Sequence, residues 1–174
     1  MYFVPEARSA KAPALRREVI TRNKRFEPST LVVPVGSVVV FPNQDVVLHN
    51  VFSLSAGAEF DLGLYGPSES REIQLDRPGV VRVHCNVHHS MQTDVIVVDT
   101  PFYAQLSADG TFSLRKVPAG AGTLHIWHPR AEPATSRLTL PLKRPLSLAL
   151  VATKPRVPPH TNKDGESYRA ALGR

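Results

Sequence analysis

The sequence predicts an all-β protein. Sixteen prolines and ten glycines in 174 residues interrupt the chain too often for long helices. Its apolar residues gather instead in short runs rich in valine, and Gly, Pro, Asn and Asp separate those runs. The length suffices for one good core, or for one core with a small appended module.

The first apolar run, Tyr2 to Pro5, is followed by a polar stretch from Glu6 to Lys24. A strand beginning at the first residue suggests a trimmed N-terminus. From Phe26 the β-branched runs at 31–33 and 38–41, parted by the Pro34-Val-Gly36 turn signal, read as two strands. After the turn at Pro42 to Asp45 comes a strand over 46–52, in which His49 shares the phase of Val47 and Val51. A Ser/Gly/Ala loop leads to a strand at 60–65.

The next pair, 71–75 and 80–85, is joined by Asp76-Arg-Pro-Gly79, suited to a tight turn. Alternation points Val81, Val83 and Cys85 to one face and Arg82 and His84 to the other, so Cys85 is expected in the core and His84 in water. A strand over 93–98 follows, and roughly seven strands would close a sandwich.

A second pattern begins at Pro101, with strands expected at 111–114, 123–127, 137–142 and 146–151. The expected organisation is an N-terminal strand and basic segment over 1–25, a sandwich domain over 26–100, a small β-module over 101–153 and a polar tail over 154–174. That tail is interrupted by proline, lacks an apolar period and reads as extended or disordered.

The formal charge of +6 comes largely from the two ends, where Arg16, Arg17, Arg22, Lys24 and Arg25 cluster early and Lys154, Arg156, Lys163 and Arg169 late. No helix-turn-helix, stacking motif or zinc-finger spacing accompanies them, which argues against nucleic-acid binding. A basic surface facing an acidic partner fits better. No apolar run is long enough for a transmembrane helix, and the first residues lack the apolar core of a secretory signal.

One cysteine, Cys85, cannot form an internal disulfide and is structural, reactive or a metal ligand. Its surroundings favour the last. Val83-His-Cys-Asn-Val-His-His-Ser-Met91 puts thiolate, imidazole and thioether donors in one short loop after a core-facing strand. Soft sulfur with imidazole suits copper, and a second imidazole with a weak axial thioether makes the blue-copper arrangement. His49, in phase on another strand and followed by Asn50, is available as that second imidazole.

Taken singly, a buried cysteine is commonly a small hydrophobe and a histidine at a strand end a surface residue; the clustering favours a site. His84 and His89 could instead join a zinc or type-two copper site. His125 and His128 fall on opposite faces of their strand and read as structural or surface residues. Glu59 and Asp61 read as loop solvation.

The spacing Cys85-x-x-His88-x-x-Met91, with Leu48-His-Asn-Val51, resembles the plastocyanin-like cupredoxins over 26–99. With Phe26-x-Pro28, Asn43-x-Asp45 and Phe60-Asp-Leu-Gly63, the chain is similar to the methylamine-utilization type of that family. The resemblance implies a Greek-key β-sandwich holding copper, with His49 and His88 as nitrogen ligands, Cys85 as thiolate, Met91 as axial ligand and Asn50 steadying the cysteine loop. The adjacent His89 is the alternative ligand.

Residues 109–120 resemble transthyretin-like or carboxypeptidase-regulatory-like β-modules, which implies interaction or stability rather than chemistry. The function expected is that of a one-electron carrier, not an enzyme, with a protein redox partner and a periplasmic or otherwise exported location. The alternatives are copper storage, delivery or sensing, and a structural β-protein with a non-redox metal site.

Overall fold

The computed structural model describes residues 1–7, 10–107, 109–155 and 159–168. Its strands are β1 (Tyr2–Pro5), β2 (Arg16–Glu18), β3 (Ile20–Arg22), β4 (Arg25–Glu27), β5 (Thr30–Pro34), β6 (Ser37–Pro42) and β7 (His49–Ser55). They continue with β8 (Ala58–Tyr65), β9 (Ser70–Leu75), β10 (Gly79–His84), β11 (Gln92–Val98), β12 (Gly120–Ile126) and β13 (Ala134–Leu140). The chain is all-β, as the punctuation by proline and glycine predicts.

Two compact units are present: Ala14–Val97 with Val157–Arg174, and Met1–Pro13 with Val98–Arg156. The first is the sandwich. One sheet runs β5-β11-β10-β7-β8 and the other β2-β6-β9, with the small pair β3-β4 beside them. The chain makes the β7-β8 hairpin, crosses to β9 in the other sheet and returns as β10 beside β7, the Greek-key habit of β-sandwiches.

Strand alternation builds its core. Val33 from β5, Val39 and Phe41 from β6, Val51 from β7, Val81 and Val83 from β10, and Val95 and Val97 from β11 all turn inward and are buried. Phe26 meets Phe41 edge-on at 6.0 Å between ring centres. Cys85 and Met91 belong to the same cluster. The cysteine loop thus begins and ends in packed hydrophobic core.

The other unit is a three-stranded sheet in the order β1-β12-β13. The N-terminal strand pairs with β12, from Tyr2 opposite His125 to Pro5 opposite Gly122, so it does not join the basic segment that follows it. Phe3, Leu124 and Ile126 form the buried centre. The strands expected at 111–114 and 146–151 are absent: Phe112, Leu114, Leu146 and Leu150 cover this core from irregular chain. Apolar content alone made those segments look like strands.

The polar stretch before Lys24 holds β2 and β3, which the sequence did not signal. β2 is exposed throughout and runs parallel to β6. Among the described residues no helix is long and apolar enough to cross a membrane.

Candidate metal centre

β7 delivers His49 and the end of β10 delivers Cys85. The two strands are paired neighbours, with Val83 opposite Ser53 and His84 opposite Phe52. His49 and Cys85 have no exposed surface. From Cys85 the chain turns back on itself: Cys85 N–H donates to the Met91 carbonyl at 3.4 Å, and Met91 N–H donates to the His88 carbonyl at 3.0 Å. This loop carries His88 over the other two.

The donor atoms converge. His49 Nδ1 lies 3.8 Å from Cys85 Sγ and 3.2 Å from His88 Nδ1, and one donor atom from each of these residues falls within 4.8 Å of the others. Among the described residues, this is the one such group of three or more His, Cys, Asp or Glu side chains. A thiolate with two imidazoles is a donor set that suits copper.

The outer hydrogen bonds fix these donors. Asp45 Oδ2 sits 2.9 Å from His49 Nε2. An ionised carboxylate only accepts, so Nε2 carries the proton and the Nδ1 lone pair faces Cys85 and His88. Burial would raise the Asp45 pKa, but N–H donation from Lys24 and Asn23 together with the His49 contact holds it below the ordinary value. Burial, followed by the neighbouring His49 and Lys24, lowers the His88 pKa, which keeps a lone pair free for a metal.

Asn50 braces the Cys85 sulfur. Its backbone N–H donates to Cys85 Sγ at 3.4 Å, while its side-chain oxygen accepts the Asn86 N–H at 3.3 Å. The Asn50 amide in turn donates to Asp61 Oδ1 at 2.7 Å and to the Gly63 carbonyl at 3.1 Å. This geometry depends on a bulge: the β7-β8 register slips between Asn50 and Phe52, and Gly63 lies opposite it at φ +74°. Only glycine adopts that conformation freely, so Gly63 can offer its carbonyl to Asn50 and its N–H to Asp61.

The sequence-derived candidates divide as follows. His49, Cys85 and His88 come together, and Asn50 lies beside them, hydrogen-bonded to Cys85 Sγ and to Asn86 N–H. Met91 is buried at the foot of the loop, 1 % exposed. His89 turns away and stacks on Tyr168, ring centres 3.5 Å apart.

His84 departs from expectation. It is buried, 5 % exposed, rather than facing water. The segment around His160 covers that sheet face, and the two imidazoles stack at 3.9 Å. Burial, then His160 and Arg82, lower its pKa to about 3, so the ring is neutral. His84 and His89 therefore stack on different aromatic partners.

In the other unit, His125 stacks on Tyr2 at 4.6 Å and His128 Nδ1 accepts the Arg130 N–H, both structural roles. Glu59 lies not in a loop but on β8, where its exposed side chain accepts the Gly57 N–H. Asp61 is more than loop solvation, because it holds the Asn50 amide.

Sequence reasoning missed Asp45 as a partner of His49. The available signal was Asp45 four residues ahead of His49, with Asn43 two further back: Asn43 Oδ1 accepts the Asp45 N–H at 2.9 Å, a side-chain-closed turn that aims the carboxylate back at the ring.

No family model matches the chain, and no curated protein matches it. Solved structures do. A reduced mutant of amicyanin is 23% identical with a TM-score of 0.44, covering 47% of this chain and 80% of its own. A purple cupredoxin from Nitrosopumilus maritimus is 24% identical with a TM-score of 0.42, covering 47% of this chain and 98% of its own. A copper-containing nitrite reductase from Thermus scotoductus SA-01 is 22% identical with a TM-score of 0.45, covering 57% of this chain but 26% of its own. At these scores the description of the fold rests on the strand pairing and shared core above.

Proposed function

We propose that the sandwich unit holds one copper ion, which His49, Cys85 and His88 would bind with Met91 as a fourth ligand, and serves as a one-electron carrier. The carrying observation is the convergence of His49 Nδ1, His88 Nδ1 and Cys85 Sγ at the edge of a packed core, with His49 and Cys85 buried and His88 part-exposed. Copper supplies a single-electron change between its two common oxidation states, and a site that changes shape little between them transfers electrons with little reorganisation.

The chain's own residues supply that rigidity. Asp45 fixes the His49 tautomer, Asn50 aims an N–H at the thiolate sulfur, and the Cys85–Met91 backbone bond closes the ligand loop. With His49, Cys85, His88 and Met91 as four ligands, no position remains for a substrate. This supports a carrier rather than an enzyme.

His88 is the half-exposed member, and exposed apolar side chains adjoin the ligands in sequence: Val46 and Leu48 before His49, and Val87 beside His88. On this reading a redox partner docks at that edge, and the nearby Lys24 favours an acidic one. The motif resemblance supports a plastocyanin-like protein of the methylamine-utilization type, exported from the cytoplasm. It also supports a transthyretin- or carboxypeptidase-regulatory-like role in interaction or stability for the unit carrying β12 and β13.

Voltammetry of the copper-loaded protein, paired with competition by a copper chelator, tests the carrier. A carrier gives a reversible one-electron wave and keeps its ion. Release to the chelator within minutes, without a reversible wave, would mark a delivery or storage protein instead.

A further inference from the structure

The C-terminal segment His160 to Tyr168 lies against the ligand loop of the sandwich unit. His160 stacks on His84 and Tyr168 on His89, so aromatic contacts bracket Cys85 and His88 on both sides in sequence. Between them Asn162, 5 % exposed, accepts the N–H groups of Asp164 and Glu166 and fixes a turn. That turn presents Lys163.

Lys163 closes a ring of hydrogen bonds. Its Nζ donates to Asp61 Oδ2 at 2.8 Å, and its backbone N–H donates to Asn86 Oδ1 at 3.1 Å. Asp61 Oδ1 accepts from the Asn50 amide, and Asn50 Oδ1 accepts from Asn86 N–H. Every member of the ring contacts Asn50 or the residue after Cys85, and Asn50 donates its own N–H to Cys85 Sγ.

Resting on the copper reading, we propose that Lys163 is a positioning residue of the metal centre, acting through Asp61 and Asn50 on the Cys85 thiolate. Two effects of Lys163 run in the same direction. Its ammonium offsets the Asp61 carboxylate, whose negative charge would favour the more highly charged Cu(II). It also keeps Asn50 in place to donate to sulfur, and a hydrogen bond to the thiolate weakens its donation to Cu(II). Both raise the reduction potential. The pair is partly exposed, at 40% and 34% of side-chain surface, so its influence is modest and screened by salt.

The test is Lys163→Met in the full chain, with Lys163→Arg as rescue. Lys163→Met keeps the backbone N–H that ties the segment to Asn86. It should shift the Cu(II)/Cu(I) equilibrium about threefold toward Cu(II), about 28 mV at 59 mV per tenfold change for one electron. Lys163→Arg should restore the potential, and in an Asp61→Asn background Lys163→Met should shift it no further. In the metal-free protein, the NMR signal of the Asn50 side-chain amide should move in Lys163→Met and return in Lys163→Arg.

An unchanged potential beside an intact copper-thiolate band would overturn the inference, as would a full shift persisting with Asp61→Asn. Failure of the wild-type protein to bind copper would sink the copper reading itself. In that event a moving Asn50 signal would still show Lys163 placing Asn50, and an unmoved one would refute the placement too.

Discussion

At His49 one ring carries two opposed demands: Nδ1 must keep a lone pair for a metal while Nε2 must lose none of its hydrogen bonding in a site closed to water. Asp45 meets the second and thereby enforces the first. Replacing it with Asn preserves the shape but removes the charge that makes the imidazole a better donor. Asp45→Asn should weaken copper binding about 10- to 100-fold, the usual scale for losing such an outer partner, as read by competition with a chelator. Unchanged affinity would show that ring orientation alone, without carboxylate charge, sets the site. Cys85 and His49 stood out in the sequence by residue type and strand phase, whereas His88 was favoured over the adjacent His89 only through the family resemblance. Asp45 and Lys163 were not, because each acts through a contact that only folding creates, and Lys163 reaches Asp61 across 102 positions of chain.

Strands show a similar division at the scale of elements. β10 announces itself by alternation, Val81 and Val83 inward with Cys85 continuing the phase. β2, an Arg-Arg-Glu strand without a buried side chain, is specified only by pairing with β6. Conversely, the apolar residues at 111–114 and 146–151 satisfy a core without joining a ladder. The attachment of β1 to β12 depends on a close approach that sequence alone does not declare. A Cβ on Gly122 would lie 2.3 Å from Phe3 Cζ and 2.7 Å from the Val4 carbonyl oxygen. Backbone cannot yield as a flexible side-chain end can, so Gly122→Ala should destabilise this unit by about 1–3 kcal/mol, the range for overpacking. Denaturant melts followed by fluorescence would measure the loss, and hydrogen exchange should quicken in β1 and β12. A variant as stable as the parent would contradict the pairing.

Across the whole molecule, the described residues form two units with separate apolar clusters, and the His49, Cys85 and His88 donors all lie in one of them. A ligand that binds only the folded state stabilises what it binds by an amount that grows with the logarithm of its concentration over Kd, about 2.7 kcal/mol at a hundredfold excess. Copper should therefore slow hydrogen exchange in β7, β10 and β11 while leaving β12 and β13 unchanged. Chelation should reverse this. Equal protection of both units would show that the site is coupled to the whole chain.

The central claim is a copper-thiolate bond at Cys85 within the His49-Cys85-His88 cluster, and the visible absorption spectrum of the copper-loaded protein tests it most directly. The geometry predicts an intense copper-thiolate charge-transfer band that disappears in Cys85→Ser and is lost or displaced in His49→Ala. A colourless wild-type protein, or a band that survives Cys85→Ser, would contradict it.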